Sequence, residues 1–442
     1  MLKKIIFAVI VAVCIGAISY YFLGKEKGLV FFVISLMVAL WTNEGIPLGV
    51  VSLFPLILFP MFGIMSIKET SINYAEPVIF LFLGGFFMAI AVERTNLHKY
   101  LARRLMNIFP ATPMGLVYGV IITSGLISSV LSNTTVALML LPIVMMITEN
   151  KKVKTRLLLA LAYGSSIGGV ITPVGTPPNL ILLGFLQKHH LESISFVQWI
   201  YMMLPVAVPM LLTVPFFLAF SVRKEILETT IKETVRPDKN QKKLMFFLST
   251  LFVILVLNSK IEPWYGGLGL DERVVLLTAG LMMFLPGFSF LSWEDTREIP
   301  FEIIYLFGAG FAIADAFSKT HLIESFATSM NHLSVLAPCL IFLVVAMIVT
   351  AATNLTSNTA VVSIAFPVFF ELAIHLPFNV NVILMIVAIS GSYAFMLPIG
   401  TPPNAIVMSG GFVKTSQMIR GGFMVTVLGI FFLVLSAYFF WM

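Results

Sequence analysis

"SNTTVALMLLP" at 132–142 puts a polar triplet, Ser132-Asn133-Thr134, into a long apolar stretch, and a second copy, "SNTAVVSIAFP", starts at 357. The copies are 225 residues apart (357 − 132), and the same offset relates "VGTPPN" at 174–179 to "IGTPPN" at 399–404. Upstream, Gly85-Phe86 pairs with Gly310-Phe311. Ala89, Ala91, Thr95 and Leu97 pair likewise with Ala314, Ala316, Thr320 and Leu322. One ungapped offset across 85–179 and 310–404 is an internal duplication. The fold must build one unit twice and house the same polar motifs in each.

Composition fixes the solvent in which it does so. Of the 442 residues 59% are hydrophobic and 11% charged, and the mean hydropathy is +1.01. Soluble domains carry about 25% charge. Apolar runs of bilayer-spanning length, roughly 20 residues, recur along the chain. This is the pattern of an all-α polytopic membrane protein whose surroundings are a lipid bilayer. The net charge of +6 belongs to cytoplasmic loops and does not indicate a nucleic-acid partner. Cys14 and Cys339 read as small packing residues, with neither a disulfide nor a metal site. The N-terminal run after Lys3-Lys4 is longer than a signal-peptide core and has no clear cleavage site, so it reads as a retained helix.

Charge asymmetry orients the two copies. Arg94, Lys99, Arg103, Arg104, Lys151, Lys152, Lys154 and Arg156 flank the first triplet, whereas the second copy has no Lys or Arg between Lys319 and Lys414. By the positive-inside rule the repeats have inverted topology, as in many secondary transporters. Basic residues at both ends of 113–148 put both ends on one side of the membrane. That stretch is too long for one span and short for two, so it predicts a re-entrant hairpin with the triplet at its tip; 338–374 is its mate. The paired prolines at 177–178 and 402–403 break the spans 155–187 and 379–411 into half-helices. The expected order is an N-terminal transmembrane helix in 1–27, a first repeat over 28–222, a cytoplasmic linker 223–243 and a second repeat over 244–442. About eleven transmembrane helices are expected with the two hairpins, near 3–22, 28–42, 47–65, 77–93, 155–187, 195–222, 243–258, 272–288, 300–317, 379–411 and 418–441. Interfacial arms are expected at 94–110 and 319–334.

The motifs narrow the chemistry. Unwound carbonyls coordinate cations, half-helix N-termini attract anions, and hydroxyls and amides serve either. The windows 113–148, 164–180, 350–370 and 389–408 contain no charged residue and no His. Proton coupling normally needs a titratable group in the membrane. The combination favours sodium-coupled anion binding. One such triplet alone would be ordinary helix-packing glue; two, each 44 residues before a Gly-Thr-Pro-Pro-Asn (176 − 132, 401 − 357), are a site. Asp315 reads as reaching the interface near a span end, Glu44 as orienting the next helix, and His189-His190 as solvated. No H-E-x-x-H, G-x-S-x-G or paired membrane aspartate points to an enzyme, and no catalytic residue is assigned.

The paired triplets, the G-T-P-P-N loops and "WTNEGIPLGVVSLFP" at 41–55 resemble the divalent anion:sodium symporter family over about 28–442. The resemblance implies sodium-coupled uptake of C4-dicarboxylates such as succinate, malate or fumarate by an elevator-type alternating-access motion. It also implies a homodimer in a bacterial inner (plasma) membrane, the N-terminus being cytoplasmic. Sodium-independent exchange, or carriage of citrate or sulfate, is the alternative. Carried over by position, Ser128, Ser132, Asn133 and Gly175 would hold one sodium ion, and Thr353, Thr356, Asn358 and Gly400 another. Ser132, Asn133, Thr134, Ser357, Asn358 and Thr359 would bind substrate, with Thr176-Pro177 and Thr401-Pro402 closing the site.

Overall fold

The computed structural model describes residues 2–43, 45–226, 236–259, 265–320, 337–409 and 411–442. Glu44, the middle of the linker and most of 319–334 lie outside the described residues. Two long helices open the chain, α1 (Leu2–Leu23) and α2 (Lys25–Asn43). Then come α3 (Leu48–Val51), α4 (Pro55–Met61), α5 (Ile67–Ile72), α6 (Pro77–Arg94) and α7 (Leu97–Met106). The first hairpin is α8 (Pro113–Ser128) with α9 (Asn133–Met146), and the first broken helix is α10 (Lys151–Gly169) with α11 (Pro177–Lys188). Next are α12 (Phe196–Phe220), α13 (Lys239–Asn258), α14 (Glu272–Met282) and α15 (Phe301–Lys319). The second hairpin is α16 (Pro338–Leu355) with α17 (Asn358–Ile374). The second broken helix is α18 (Val380–Gly391) with α19 (Pro402–Ser409), and α20 (Thr415–Ser436) ends the bundle.

Among the described residues eight helices are long and apolar enough to cross a membrane, one of them the first arm of the second hairpin. The remaining expected spans are built from shorter pieces. The 47–65 stretch is two short helices, because Pro55 starts a new helix and residues 52–54 turn between them. The 272–288 stretch stops at Met282, and Gly287 beyond it takes a left-handed φ of 95°. Cys14 and Cys339 are exposed on the outer faces of α1 and α16 rather than packed inside. The arm α7 is amphipathic as its sequence implies, with Leu97, Tyr100 and Ala102 buried.

The half-helices before the breaks lie at the centre. α10 is buried almost continuously from Val153 to Gly169, and α18 from Asn381 to Gly391. A helix apolar all round needs neighbours on every side. α8 supplies one by backbone contact: a Cβ on Gly168 would lie 2.0 Å from the Gly125 carbonyl oxygen. Small residues permit such approach where lipid offers no competing hydrophobic drive. α12 and α20 brace the same region, Trp199 Nε1 donating to the Val170 carbonyl (3.0 Å) and Tyr163 OH to that of Met418 (3.0 Å). The apolar packing falls into two clusters. A small one joins α1–α4 to one face of α15, through Leu306, Ala309, Ile313 and Ala316, and touches the second hairpin at Ala360. A large one contains both hairpins and both broken helices.

Candidate functional site

Each triplet starts a helix. Ser132 is the N-cap of α9, with φ −61° and ψ 144°, and its hydroxyl accepts from Thr135 N at 3.2 Å. Asn133 and Thr134 are therefore the first helical residues, in a turn whose N–H groups lack intrahelical acceptors. Ser357 holds the equivalent place before α17, but its side chain makes no capping bond. The preceding arms end just short of the tips, and each tip is tied by the same bond. Ser128 Oγ donates to Asn133 Oδ1 at 2.7 Å, and Thr353 Oγ1 to Asn358 Oδ1 at 2.7 Å.

The breaks also repeat their bonding. Asn179 Nδ2 donates to the carbonyls of Gly169 (3.1 Å) and Thr172 (2.9 Å). Asn404 Nδ2 donates to those of Ala394 (2.8 Å) and Leu397 (2.9 Å), the same partners 225 residues on. The last residue of Gly-Thr-Pro-Pro-Asn thus folds its own loop, satisfying carbonyls that the broken helix has freed. Pro177 and Pro402 open the second half-helices, where a missing N–H costs nothing. Thr172 and Asn354 join the breaks to the hairpins: Thr172 Oγ1 donates to the Ser129 carbonyl, Asn354 Nδ2 to that of Tyr393 (3.2 Å), and Met396 N to Asn354 Oδ1 (2.9 Å).

A cavity of about 1240 Å³ gathers these parts. Ser132, Asn133, Thr134, Gly175, Thr176 and Pro177 line it from the first repeat. Thr356, Ser357, Asn358, Thr359, Gly400, Thr401 and Pro402 line it from the second. Ser128 and Thr353, both fully buried, sit one layer behind and reach the cavity only through their asparagines. Every sequence-derived site residue is therefore at the cavity wall or bonded to it. The N-termini of α9, α11, α17 and α19 all meet there. Thr401 Oγ1 is buried with no partner, and the Thr176 side chain makes no capping bond. Hydroxyls and partial positive charge suit an anion. Around Gly175 the atoms are oxygens: a Cβ there would lie 2.5 Å from the Gly169 carbonyl oxygen and 2.9 Å from that of Ser128. Such a nest, with Asn133 Oδ1 beside Gly169, suits a small hard cation.

Structure also adds residues the motifs do not announce. Lys4, Glu93, Glu298 and Glu302 line the cavity, so charge surrounds the tips although none lies in them. Ser132 Oγ, besides capping α9, donates to Thr135 Oγ1 at 2.9 Å. Thr42, at the end of α2, shares a 3.0 Å hydroxyl contact with Thr356. Outside the apolar spans, Glu225 is held by Asn150 (2.9 Å) and Lys152 (3.0 Å), which keep its carboxyl below the usual range. One expectation gains a partner and one changes. Asp315, its side chain 33% exposed, pairs with Lys188 at 2.7 Å. His189 is wedged between Phe185 and Phe370, ring centroids 4.3 and 4.6 Å away, and its Nε2 is buried. Burial of a span end was not visible in the residues around it.

Comparison with known proteins agrees with this geometry. A family model described as a citrate transporter matches residues 36–388. The chain belongs to the divalent anion:sodium symporter family. It is 30% identical to the sodium-dependent dicarboxylate transporter of Staphylococcus saprophyticus, over 94% of this chain and 86% of the relative. The Staphylococcus aureus counterpart is 29% identical over 93% of this chain and 86% of its own. In structure the chain resembles the YdaH transporter of Alcanivorax borkumensis, with a TM-score of 0.55 at 14% identity, covering 84% of this chain and 86% of that one. That likeness concerns the fold alone. The protein is thus a symporter-family membrane transporter, and the cavity is its candidate transport site.

Proposed function

We propose that this protein is a sodium-coupled carrier of divalent anions, most of all C4-dicarboxylates such as succinate, malate and fumarate. The observation that carries the reading is the meeting of two Ser-Asn-Thr tips and two Thr-Pro-Pro-Asn breaks at one cavity. Carboxylates would take the hydroxyls of Ser132, Thr134, Ser357, Thr359, Thr176 and Thr401, the amides of Asn133 and Asn358, and the free N–H groups at the starts of α9 and α17, the proline-led starts of α11 and α19 adding only their helix dipoles. Pro177 and Pro402 would shape the wall. No fixed cation lies in the tips, so bound sodium balances the anion. One ion would sit among Ser128, Ser132, Asn133 and Gly175, the other among Thr353, Thr356, Asn358 and Gly400. The names of the staphylococcal relatives support sodium and dicarboxylate.

An elevator-type alternating access would carry the hairpins and broken helices, which share the large apolar cluster, past α1–α4, which pack in the small one. The repeats 28–222 and 244–442, with linker 223–243, would each supply a hairpin and a broken helix to the moving part. A homodimer in a bacterial inner membrane, N-terminus cytoplasmic, completes the reading. The description of the matching family model favours citrate as second substrate. Counterflow in proteoliposomes with succinate, malate, fumarate, citrate and sulfate, with and without sodium, separates these. Uptake of C4-dicarboxylates driven by a sodium gradient is expected. Sodium-independent exchange, or citrate preferred over succinate, would replace the reading.

A further inference from the structure

Lys188 ends α11, and the residue 225 positions on is Val413, so this cation stands outside the duplicated pattern. Its side chain is only 11% exposed. The ammonium donates to Asp315 Oδ1 at 2.7 Å, to the Phe311 carbonyl at 2.7 Å, and to the side-chain oxygen of Asn73. Lysine has three N–H donors, and these acceptors use all three. Asn73 is itself fully buried and donates to the Glu69 carbonyl at 3.1 Å.

The position of this cluster along three helices gives it meaning. On α6, Glu93 near the C-terminal end lines the cavity, whereas Asn73 lies just before the N-terminal end. The 18 residues of α6 span about 27 Å at the usual helical rise. On α15, Glu302 and Ile303 near the start line the cavity, and Phe311 and Asp315 lie two to three turns further on. On α11, Pro177 and Leu180 line it, and Lys188 closes the helix two turns beyond. All three helices thus have one end at the cavity and the other at the ion pair. α11 is also the direct continuation of the Thr176-Pro177 break. α15 packs one face on α1–α4 and the other, through Ile304, Phe307, Phe311 and Ala314, on the large cluster, so it borders both.

We propose that Lys188 is a positioning residue of the transport cycle. It ties the site-bearing α11 to α15 and Asn73, seals the end opposite the cavity mouth, and holds the carrier with its site open towards Lys4 and Glu298. The three bonds must break before the site opens to the other side. Removing Asp315 leaves the buried ammonium without its counter-charge, and removing Lys188 unties all three acceptors at once, so either single change should release this conformation. An ion pair that merely stabilises the fold would be kept in both conformations, and its loss would not move their ratio. The inference rests on the alternating-access reading above.

The test uses the full chain in oriented membrane vesicles, with Cys14→Ser and Cys339→Ser, and Ile399→Cys as reporter. Ile399 lines the cavity and is 70% exposed. A membrane-impermeant maleimide is applied from each face, with and without sodium and succinate. In the parent, labelling from the mouth face should dominate and should fall when both solutes are added. Lys188→Met should shift the ratio between the faces by about tenfold towards the opposite face, a change of about 1.4 kcal/mol. Asp315→Asn, nearly isosteric, should shift it the same way, and it serves if Lys188→Met fails to fold. The exchange Lys188→Asp with Asp315→Lys should move the ratio back. A ratio in either single variant within twofold of the parent overturns the tie. A parent reporter labelled from one face only, whatever the solutes, overturns alternating access and the tie with it.

Discussion

Ser128 in the first hairpin gives its hydroxyl proton to one acceptor, Asn133, while Thr353 in the second shares its single O–H between two, Asn358 Oδ1 and the Gly391 carbonyl, each at 2.7 Å. Behind the first tip, Ser129 offers only a carbonyl to Thr172; its counterpart Asn354 spends both ends of its amide on Thr350, Tyr393 and Met396. The first break, besides its Thr172–Ser129 bond, is held from outside by Trp199 on Val170; position 395, the counterpart of Val170, is followed by a loop bound to its own hairpin through Met396. The Ser-Asn-Thr and Thr-Pro-Pro-Asn residues match across the offset, and so do the asparagine bonds that tie them, whereas the contacts one layer further out do not. The duplication preserved the motifs and their own bonds and let the outer supports diverge. Two tips of equal chemistry are therefore expected to differ in rigidity.

Breaking the shared part should cost most. Asn133→Ala and Asn358→Ala should each lower sodium-driven succinate uptake in proteoliposomes by at least about 100-fold, since each removes a ligand group, and Asn133→Ala also leaves the buried Ser128 hydroxyl without its partner. A variant with parental uptake would remove that asparagine from the site. Next come the glycines, which should separate the halves. A Cβ at Gly175 meets backbone oxygens at 2.5 and 2.9 Å, whereas one at Gly400 meets the Ala394 methyl at 2.8 Å and oxygens only at 3.5 Å. Backbone yields less than side chain, so Gly175→Ala should raise the sodium concentration for half-maximal uptake about tenfold, against about twofold for Gly400→Ala, within the cost of overpacking. Equal effects would mean the two cation nests are equally tight. The smallest difference concerns the supports. Thr353→Val, which leaves two buried acceptors, Asn358 Oδ1 and the Gly391 carbonyl, without their shared donor, should lower thermal stability by about 1 kcal/mol more than Ser128→Ala, which leaves one. Melting of the purified proteins in detergent reads this directly, and a larger loss in Ser128→Ala would reverse the order of rigidity.

Much of the site was legible because duplication makes polar residues conspicuous. Ser132, Asn133, Thr176 and their mates sit in apolar windows, where a polar group without a task is costly. The hairpin tips, the breaks and their shared cavity follow from those residues and from proline chemistry. Glu93, Glu298, Glu302 and Lys4 could not be found that way. Glu93 corresponds to Ser318, so the offset is silent about it. These side chains reach the cavity because α6, α15 and the start of α1 end beside it. Charge next to the tips is thus a product of packing, and the absence of titratable residues within the motifs did not imply their absence from the site.

The sequence by itself determined the membrane class, the doubled unit, the broken helices and the identity of the polar groups, because hydropathy, proline and the repeat offset act locally along the chain. Tertiary structure alone decided which hydroxyls face the cavity and which stand behind it, as with Ser128 and Thr353. It also decided that Lys188 meets Asp315, a partner 127 positions away (315 − 188). Pairing of that kind depends on how helices pack in three dimensions, and a lone charge near the end of an apolar run carries no mark of the partner that burial will give it.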